Sequence, residues 1–335
     1  MRAYRFAQFG LENLKLDQLD ALRPGPGEIL LDVKAVSLNY RDLMVIKGWY
    51  NPKLPLPAVP LSDGAGVVAA IGPGVLRVKP GDRVTSHFIS GWIDGPFKAE
   101  YPGTTLGLPR AGLAAEQVVL PAEAVVPMPA EYDFRQAATL PIAALTAWSA
   151  LVTEGRVEAG QTVLTLGTGG VSIFAVQFAK ALGATVIVTS GSNEKLARAR
   201  ELGADFGVNY RTHPDWEKEV LRITDRRGAD VVVENGGAAT LTRSMRAVRA
   251  GGVVAMLGAL TGLQDKVDLA PILMKRIRVA GIMVDSRTAF EAMNQFIERH
   301  RIEPVIDRVF PFDQLPEAFR LMEASGHFGK IVVEC

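Results

Sequence analysis

A run of glycines between two apolar segments is the part of the chain whose residue types point most directly to chemistry. It reads Leu166-Gly167-Thr168-Gly169-Gly170-Val171-Ser172, after the apolar stretch 163–166 and before apolar residues at helical spacing. A glycine turn between a strand and a helix lets backbone N–H groups and the helix N-terminus approach a pyrophosphate. We therefore predict a dinucleotide site along Gly167, Thr168, Gly169, Gly170 and Val171.

Ser172 stands where the last glycine of the G-x-G-x-x-G pattern is expected, so the match is incomplete and depends on its context. A loop of this kind could also be a tight turn that binds nothing. The strand before it, the helix after it and five further apolar strands favour a dinucleotide. Ser172 is expected either to loosen the packing of helix against sheet or to add a hydroxyl at the helix N-terminus.

The end of the next predicted strand indicates which dinucleotide fits. An NAD site usually has an acidic residue there, which accepts hydrogen bonds from the ribose diol. This chain has Ser190-Gly191-Ser192 with Lys195 shortly after, and Tyr210 and Arg211 follow the next strand. A small polar pocket beside a cation suits a 2′-phosphate, whereas an acid would repel its charge. We predict NADPH rather than NADH.

The elements that would position these residues change in character along the chain. Up to about residue 120, short predicted strands such as 28–36, 66–71 and 83–86 alternate with Pro/Gly turns, as in a compact antiparallel or barrel-like unit. From about residue 135, helices and strands alternate, which predicts an α/β fold with a doubly wound, six-stranded parallel sheet. The predicted strands are 162–166, 185–190, 205–209, 230–234, 252–257 and 277–282. The predicted helices of this region are 135–151, 171–182, 193–202, 214–224 and 239–248.

The rest of the chain, with helices near 287–299 and 315–324 and a closing strand 330–334, is expected to fold back onto the first unit.

The composition of the chain indicates which binding partners and which cellular compartment to expect. The 335 residues carry a formal net charge of +1, which argues against nucleic acid or an anionic membrane as a main partner. No apolar run is long enough to span a bilayer. The single cysteine, Cys335, permits no intrachain disulfide, so we expect a cytoplasmic protein.

Several motifs taken together resemble the medium-chain dehydrogenase/reductase superfamily, and within it the zinc-free, quinone-oxidoreductase-like (zinc-type alcohol dehydrogenase-like) branch. The resemblance covers nearly the whole chain. Beside the glycine loop, it rests on Pro26-Gly27-Glu28-Ile29-Leu30, Leu38-Asn39-Tyr40-Arg41-Asp42, Asp63-Gly64-Ala65-Gly66-Val67-Val68, Lys79-Pro80-Gly81-Asp82-Arg83-Val84, Leu145-Thr146-Ala147 and Gly329-Lys330-Ile331-Val332. It implies a GroES-like β-rich catalytic domain, residues 1–122 and 286–335, interrupted by a Rossmann NADP-binding domain, residues 123–285. It also implies an active site in the cleft between them, and a homodimer.

Zinc-dependent relatives hold metal with cysteine and histidine, and this chain departs from them. Where they carry the first cysteine it reads Leu38-Asn39-Tyr40, and where they carry Gly-His-Glu it reads Leu61-Ser62-Asp63. One cysteine excludes a four-cysteine structural site. We therefore expect no zinc, with a site built from His87 and Asp63 as the alternative.

Without a metal, an acceptor oxygen needs hydrogen-bond donors or a proton donor. The resemblance places Asn39 at the active site as an amide donor, with Asp42 orienting it. It also places Tyr50 near the substrate, although Met44 stands where those relatives often have another tyrosine. The alternatives are a strand-end role for Asn39, loop packing for Tyr50, and either a structural or a catalytic role for Asp63.

Other positions are expected along the cofactor. They are Thr146, Asn235, Gly258, Leu260 and Lys330, of which Lys330 could instead form a surface ion pair. Three aromatic residues of the first unit could wall a pocket for a flat acceptor or simply pack in its core: Trp49, Trp92 and Phe97.

The chemistry expected from these features is a zinc-free, NADPH-dependent transfer of hydride to a small-molecule quinone or α,β-unsaturated carbonyl. An enzyme that acts on an alcohol or aldehyde is the first alternative. An NADPH-binding protein without turnover, of a regulatory or crystallin-like kind, is the second.

Overall fold

The computed structural model describes residues 1–335, and the chain divides into two units. The first unit comprises Met1–Leu145 and Val284–Cys335, and the second comprises Thr146–Met283. The sequence-based division began the second domain at residue 123 and ended it at 285. The structure assigns residues 123–145 to the first unit, because the helix in this stretch, Phe134–Ala138, packs on four of that unit's strands.

The two units contain fifteen strands and ten α-helices. The strands are β1 (Arg2–Phe6), β2 (Leu14–Gln18), β3 (Glu28–Ser37), β4 (Asp63–Ile71), β5 (Arg83–Ser86), β6 (Gln117–Pro121), β7 (Val125–Pro127), β8 (Thr162–Leu166), β9 (Thr185–Ser190), β10 (Phe206–Asn209), β11 (Ala229–Glu234), β12 (Val248–Met256), β13 (Arg278–Gly281), β14 (Ile306–Pro311) and β15 (Lys330–Glu334). The helices are α1 (Tyr40–Ile46), α2 (Phe134–Ala138), α3 (Leu145–Trp148), α4 (Gly170–Ala181), α5 (Asn193–Glu201), α6 (Trp216–Ile223), α7 (Ala238–Ala247), α8 (Ala270–Lys275), α9 (Arg287–His300) and α10 (Leu315–Glu323). None of the helices is both long enough and apolar enough to cross a bilayer.

A seven-stranded sheet organises the first unit. Its strands run in the order β14-β15-β3-β4-β5-β7, with β6 also paired to β3, and only β14 and β15 are parallel. Along β3, Ile29, Leu31 and Val33 are buried in alternation, because successive side chains of a strand point to opposite faces. The closing strand β15 lies beside β3, which confirms that the end of the chain folds back onto this unit.

The second unit is built on a six-stranded parallel sheet in the order β10-β9-β8-β11-β12-β13. Strands β8 and β11 are buried along their whole length, as expected of central strands covered on both faces. The order of connection reverses between them. Ligands of such sheets bind beyond the carboxyl ends of the strands at this reversal. The predicted α/β fold, with its β-rich unit and doubly wound sheet, is confirmed.

Three local expectations need correction. The helix predicted over 135–151 is instead α2, a π-helical turn (Leu140–Ala144), α3 and a second π-helical turn (Ser149–Glu154). Pro141 has no N–H to continue the α-helical ladder, which accounts for the first break. Helices α1 and α8 were not predicted.

Candidate active site

The glycine loop joins β8 to α4 at the reversal of the sheet. Gly167 has φ +75°, a conformation that favours glycine, and its N–H donates to the Thr189 hydroxyl at 3.3 Å. Gly169 precedes the first turn of α4, and a Cβ atom built on it would meet no atom within 4 Å. The first N–H groups of a helix have no partner within it. The loop therefore offers open space and backbone donors to an anion, which fits the pyrophosphate of a dinucleotide.

Ser172 lies in the first turn of α4, so it adds a hydroxyl at the helix N-terminus, the second of its two expected roles. Its side chain is 2% exposed, and its hydroxyl donates to the Leu166 carbonyl at 2.7 Å and accepts from Asn235 Nδ2 at 2.6 Å. The hydroxyl thus turns back onto the end of β8 instead of facing a ligand at the helix N-terminus, and it adds bonds to the helix–sheet contact. The glycine-loop site, by which we mean residues 167–172 and Asn235, ties the ends of β8 and β11 together through side chains.

Asn235 follows β11 and is buried at the same edge. Its Nδ2 also donates to the Leu166 carbonyl at 2.9 Å, while its buried Oδ1 has no partner. Glu234, for which no role was predicted, has a buried carboxylate that accepts from the amides of Gly236 and Gly237 at 2.6 and 3.0 Å. This carboxylate fixes the loop that carries Asn235.

The other positions predicted to line the cofactor differ in their burial and their contacts. A Cβ at Gly258 would lie 2.1 Å from the Asn235 carbonyl oxygen, so this glycine permits a close backbone contact. Leu260, at 56% exposure, lies in the loop after β12. Thr146 in α3 and Thr168 in the glycine loop are both buried.

The segment after β9 is covered by the segment after β10. A Cβ at Gly191 would lie 2.8 Å from Arg211 Nε and 2.9 Å from the Tyr210 hydroxyl oxygen. The Ser190 hydroxyl accepts from the Ser192 N–H at 3.2 Å, and the Ser192 hydroxyl accepts from the Lys195 N–H at 3.3 Å. Residues predicted to select the cofactor are therefore gathered around Gly191, with a guanidinium among them.

In the first unit, three side chains from distant parts of the chain meet in a buried polar group, which we call the lysine cluster: Asn39, Asp63 and Lys330. Asn39 Nδ2 donates to Asp63 Oδ2 at 2.9 Å, and Lys330 Nζ donates to Asn39 Oδ1 and to the Leu38 carbonyl, both at 2.7 Å. Lys330 Nζ lies 3.9 Å from Asp63 Oδ2. Since Lys330 is only 3% exposed, the expectation of a surface ion pair is wrong.

Burial governs the electrostatics of this cluster. It raises the pKa of the Asp63 carboxyl, an effect that the Lys330 charge opposes. It lowers the pKa of the Lys330 ammonium, which the charges of Asp63 and Asp42 oppose. Asp63 Oδ2 also accepts from the Ile142 N–H at 3.2 Å, whereas Oδ1 is buried without a partner. The ammonium and the carboxylate therefore depend on each other.

A second hydrogen-bond network holds the backbone of Asn39. Asp42 Oδ2 accepts from the Asn39 N–H at 2.9 Å at the start of α1, and burial raises the pKa of the Asp42 carboxyl. The Ser62 hydroxyl donates to Asp42 Oδ1 at 2.6 Å and accepts from Arg41 Nη1 at 2.7 Å. Asn39 thus begins a helix and does not end a strand. The sequence analysis did not assign a role to Ser62 or Arg41.

Tyr50 lies in the loop after α1 and is 43% exposed. Its ring centroid is 4.6 Å from the guanidinium carbon of Arg41. Of the predicted wall aromatics, Trp92 is buried against Phe97 and Tyr101, with centroids 5.2 and 5.7 Å away. Trp49 is exposed beneath the Lys47 ammonium.

The His87 alternative does not form a ligand group. His87 Nε2 hydrogen-bonds with the Asp285 carbonyl oxygen at 3.0 Å, and burial lowers the His87 pKa to about 4. No three His, Cys, Asp or Glu side chains are placed to share a metal ion.

A doubly wound sheet with a glycine loop at its reversal, joined to a β-rich unit, defines a class of dinucleotide-dependent oxidoreductases. Two family models match the chain, one in the first unit and one mostly in the second. The one described as alcohol dehydrogenase GroES-like domain matches residues 25–130, and the one described as zinc-binding dehydrogenase matches residues 170–299.

Full-length relatives extend this match. A zinc-type alcohol dehydrogenase-like protein of Schizosaccharomyces pombe is 41% identical over 332 residues, covering 97% of this chain and 96% of the relative. A quinone oxidoreductase of Pongo abelii is 31% identical over 346 residues, covering 99% and 97%. A crystal structure of an NAD-dependent alcohol dehydrogenase is 38% identical with a TM-score of 0.91, covering all of both chains. The chain belongs to the medium-chain dehydrogenase/reductase superfamily of oxidoreductases, as the motifs indicated.

Two of these descriptions name zinc, and the residues present do not fit it. Protein zinc sites take thiolate, imidazole and carboxylate ligands. Here the only cysteine, Cys335, is at the end of β15, and burial raises its pKa to about 12. The lysine cluster offers one carboxylate, no thiolate and no imidazole, and it places the Lys330 ammonium beside that carboxylate.

Proposed function

We propose that the protein is a zinc-free, NADPH-dependent reductase that transfers hydride to a quinone or an α,β-unsaturated carbonyl compound. The observation that carries this proposal is the Lys330 ammonium bonded to Asn39 Oδ1. Hydrogen bonds in a low-dielectric network polarise one another, so a cation on the amide oxygen makes the amide N–H groups stronger donors. An amide has two such hydrogens, and Asp63 accepts one. The other can polarise an acceptor oxygen without a metal.

The glycine-loop site supports the cofactor part of the proposal. NADPH, when bound, supplies the hydride. The open face of Gly169 and the N-terminus of α4 suit its pyrophosphate. The region of Gly191, Tyr210 and Arg211 suits a 2′-phosphate because it offers a guanidinium and because residues 190–192, at the end of β9, include no acid. Fork-shaped guanidinium donors match phosphate geometry well.

An alcohol dehydrogenase activity is the second candidate, since the solved relative at 38% identity is described as an NAD-dependent alcohol dehydrogenase. Alcohol oxidation needs a general base near the substrate. His87 does not supply one, because it is buried and bonded to a backbone carbonyl. We therefore rank this activity behind carbonyl or quinone reduction.

One assay separates these possibilities. Oxidation of NADPH and of NADH would be followed with quinones, enones and aldehydes, with and without a chelator, beside alcohol oxidation in the reverse direction. We expect saturable NADPH oxidation by quinones or enones that the chelator leaves unchanged. A preference for NADH would overturn the cofactor proposal, and activity lost to the chelator and restored by zinc would overturn the metal-free proposal. Binding of NADPH without turnover of any acceptor would favour a non-catalytic role.

We also propose that the protein is a homodimer. Strand β13 is an edge of the second unit's sheet, and the neighbouring residues Leu273 and Met274 are 77% and 85% exposed. Exposed apolar side chains beside an open strand edge are typical of an association surface. Leu273→Lys is expected to convert a dimer into a monomer in light scattering after size exclusion. A monomeric unmodified protein would contradict the proposal.

A further inference from the structure

Arg41 contacts the Tyr50 ring directly and is linked to Asn39 through Ser62 and Asp42. It lies in the first turn of α1, and its side chain is only 12% exposed. Burying a guanidinium is costly unless its donors are satisfied.

The donors of Arg41 converge on one loop. Nη1 donates to the carbonyls of Leu106 and Gly107 at 3.3 and 3.1 Å, and Nη2 donates to the Leu108 carbonyl at 2.5 Å. Three consecutive carbonyl oxygens thus face one guanidinium. A planar fork with several donors can bind them together, whereas a lysine ammonium is a point charge.

The loop that Arg41 holds has an unusual backbone. Leu108 has φ +91° and the facing Leu61 has φ +75°, a region that side chains rarely adopt. A Cβ at Gly107 would lie 2.8 Å from the Leu61 carbonyl carbon, so the two segments are in close contact. Such conformations persist only where the surroundings fix them, and they are frequent at functional sites.

The guanidinium also lies against two aromatic rings. Its central carbon is 4.6 Å from the Tyr50 ring centroid and 4.9 Å from the Phe88 ring centroid. Phe88 is buried, whereas Tyr50 is partly exposed and is joined to α1 through the bond from its N–H to the Met44 carbonyl at 3.2 Å. The Tyr50 ring therefore packs against the Arg41 guanidinium.

A third set of contacts leads to Asn39. Arg41 Nη1 donates to the Ser62 hydroxyl, which donates to Asp42, and Asp42 accepts from the Asn39 N–H. Moving the guanidinium would therefore disturb the group that fixes the start of α1.

We propose that Arg41 is a positioning residue that sets the acceptor pocket: it holds the Tyr50 ring and the loop Leu106–Leu108 in one arrangement relative to Asn39. This inference rests on the proposed function, since it assumes that Tyr50 and Asn39 face the acceptor. It assigns Arg41 no contact with the cofactor, so its effect belongs to acceptor binding.

The test is a double-mutant cycle of Arg41→Lys and Tyr50→Ala, with NADPH binding measured by fluorescence titration. Because a lysine ammonium cannot reproduce the planar fork that joins three carbonyls and faces two rings, Arg41→Lys should raise the KM for the acceptor by roughly tenfold. The dissociation constant of NADPH should stay within about twofold. In the double variant the second substitution should add little to the first, because contacting residues are not additive. Arg320→Lys, an exposed arginine on α10 paired with Glu317, is the matched control and should change nothing.

Two results would overturn the proposal: additive losses in the double variant, or a parallel loss of NADPH binding in Arg41→Lys. If Arg41→Lys does not fold, Ser62→Ala, which removes the hydroxyl between Arg41 and Asp42, should show the same rise in acceptor KM on a smaller scale, and an unchanged KM would count against it. If the unmodified protein turns over no acceptor, the proposed function fails by itself. The four proteins of the cycle then test the contact through their thermal midpoints, where additive shifts would refute it.

Discussion

The glycine-loop site and the lysine cluster are built from different groups: the first presents backbone N–H groups, and the second consists of buried polar side chains. The first offers a ligand mostly backbone from a short segment, shaped by a left-handed glycine and a helix N-terminus, and the Ser172 and Asn235 side chains brace it from behind. The second is made of side chains from positions 39, 63 and 330, brought together by β15 pairing with β3 and β3 with β4. A site of backbone depends on shape, whereas a site of buried charges depends on each charge keeping its partner.

That difference predicts different failures. A change in the glycine-loop site should alter cofactor affinity with a modest cost in stability. A change in the lysine cluster should first cost stability, because it strands a charge, and should alter turnover where the fold survives. The predictions are ordered by the size of the effect.

Lys330→Met should give the largest loss. It leaves the buried Asp63 carboxylate without its cation, and breaking a buried ion pair in this way costs about 3–5 kcal/mol of unfolding free energy. Without Lys330 the pKa of Asp63 should rise further, so the loss should be greatest at alkaline pH and shrink as pH falls toward the carboxyl's unfolded value. Denaturant unfolding at several pH values measures it.

The control for this change is the double variant Lys330→Met with Asp63→Asn, in which no charge is stranded. It should recover much of the lost stability, and Lys330→Arg should lose less than Lys330→Met. Equal losses in the single and double methionine variants would show that the lysine cluster is not held by charge compensation.

Asn39→Ala should have the largest effect on turnover. Removing one preorganised donor to a developing oxyanion typically lowers kcat by about 100-fold or more. NADPH affinity should not change, since the contacts of Asn39 are with Asp63, Lys330 and Asp42. Asn51→Ala, in an exposed loop of the same unit, is the control. Unchanged kcat in Asn39→Ala, measured well under its melting temperature, would remove Asn39 from the chemistry.

The contrast between the two sites also explains what could be predicted from sequence. The sheet, its six strands and the glycine loop follow from local patterns: apolar runs, helical spacing and glycine turns lie next to one another in the chain. Gly167 and Gly169 were therefore placed correctly at the strand-to-helix turn. The family resemblance located the segment of Asn39 and Asp42.

Contacts between distant residues could not be predicted in this way. Lys330 was expected along the cofactor or on the surface, because no local pattern shows that β15 places it beside Asn39. Ser172 was expected either to loosen packing or to add a hydroxyl at the helix N-terminus, and its bond with Asn235, sixty-three residues away, could not be predicted from local sequence. The role of Arg41 could not be predicted from the sequence either. It depends on the carbonyls of a distant loop that has unusual φ values.

Arg211→Ala tests the region around Gly191, where a 2′-phosphate is proposed to bind. A guanidinium bonded to a phosphate contributes about 1.5–3 kcal/mol, so NADPH should bind about tenfold more weakly or worse while NADH is unaffected. Both dissociation constants can be measured by fluorescence titration. Arg222→Ala, an exposed arginine of α6 paired with Glu219, is the control. An equal loss for both cofactors would mean that Arg211 supports the fold of the segment and not the 2′-phosphate.

Ser172→Ala should have the smallest effect. It tests whether the glycine-loop site binds its ligand through backbone groups or through side chains. The change removes the bond to the Leu166 carbonyl and the one accepted from Asn235, but Asn235 Nδ2 still donates to Leu166 at 2.9 Å. The ends of β8 and β11 stay joined, so the unfolding free energy should fall by only about 1 kcal/mol. NADPH affinity should hold within about twofold, because the hydroxyl faces the strand. Asn235→Ala removes both bonds across the reversal and should cost more. If Ser172→Ala weakened NADPH binding tenfold at unchanged stability, the hydroxyl would belong to the ligand and the glycine-loop site would depend on side chains as the lysine cluster does.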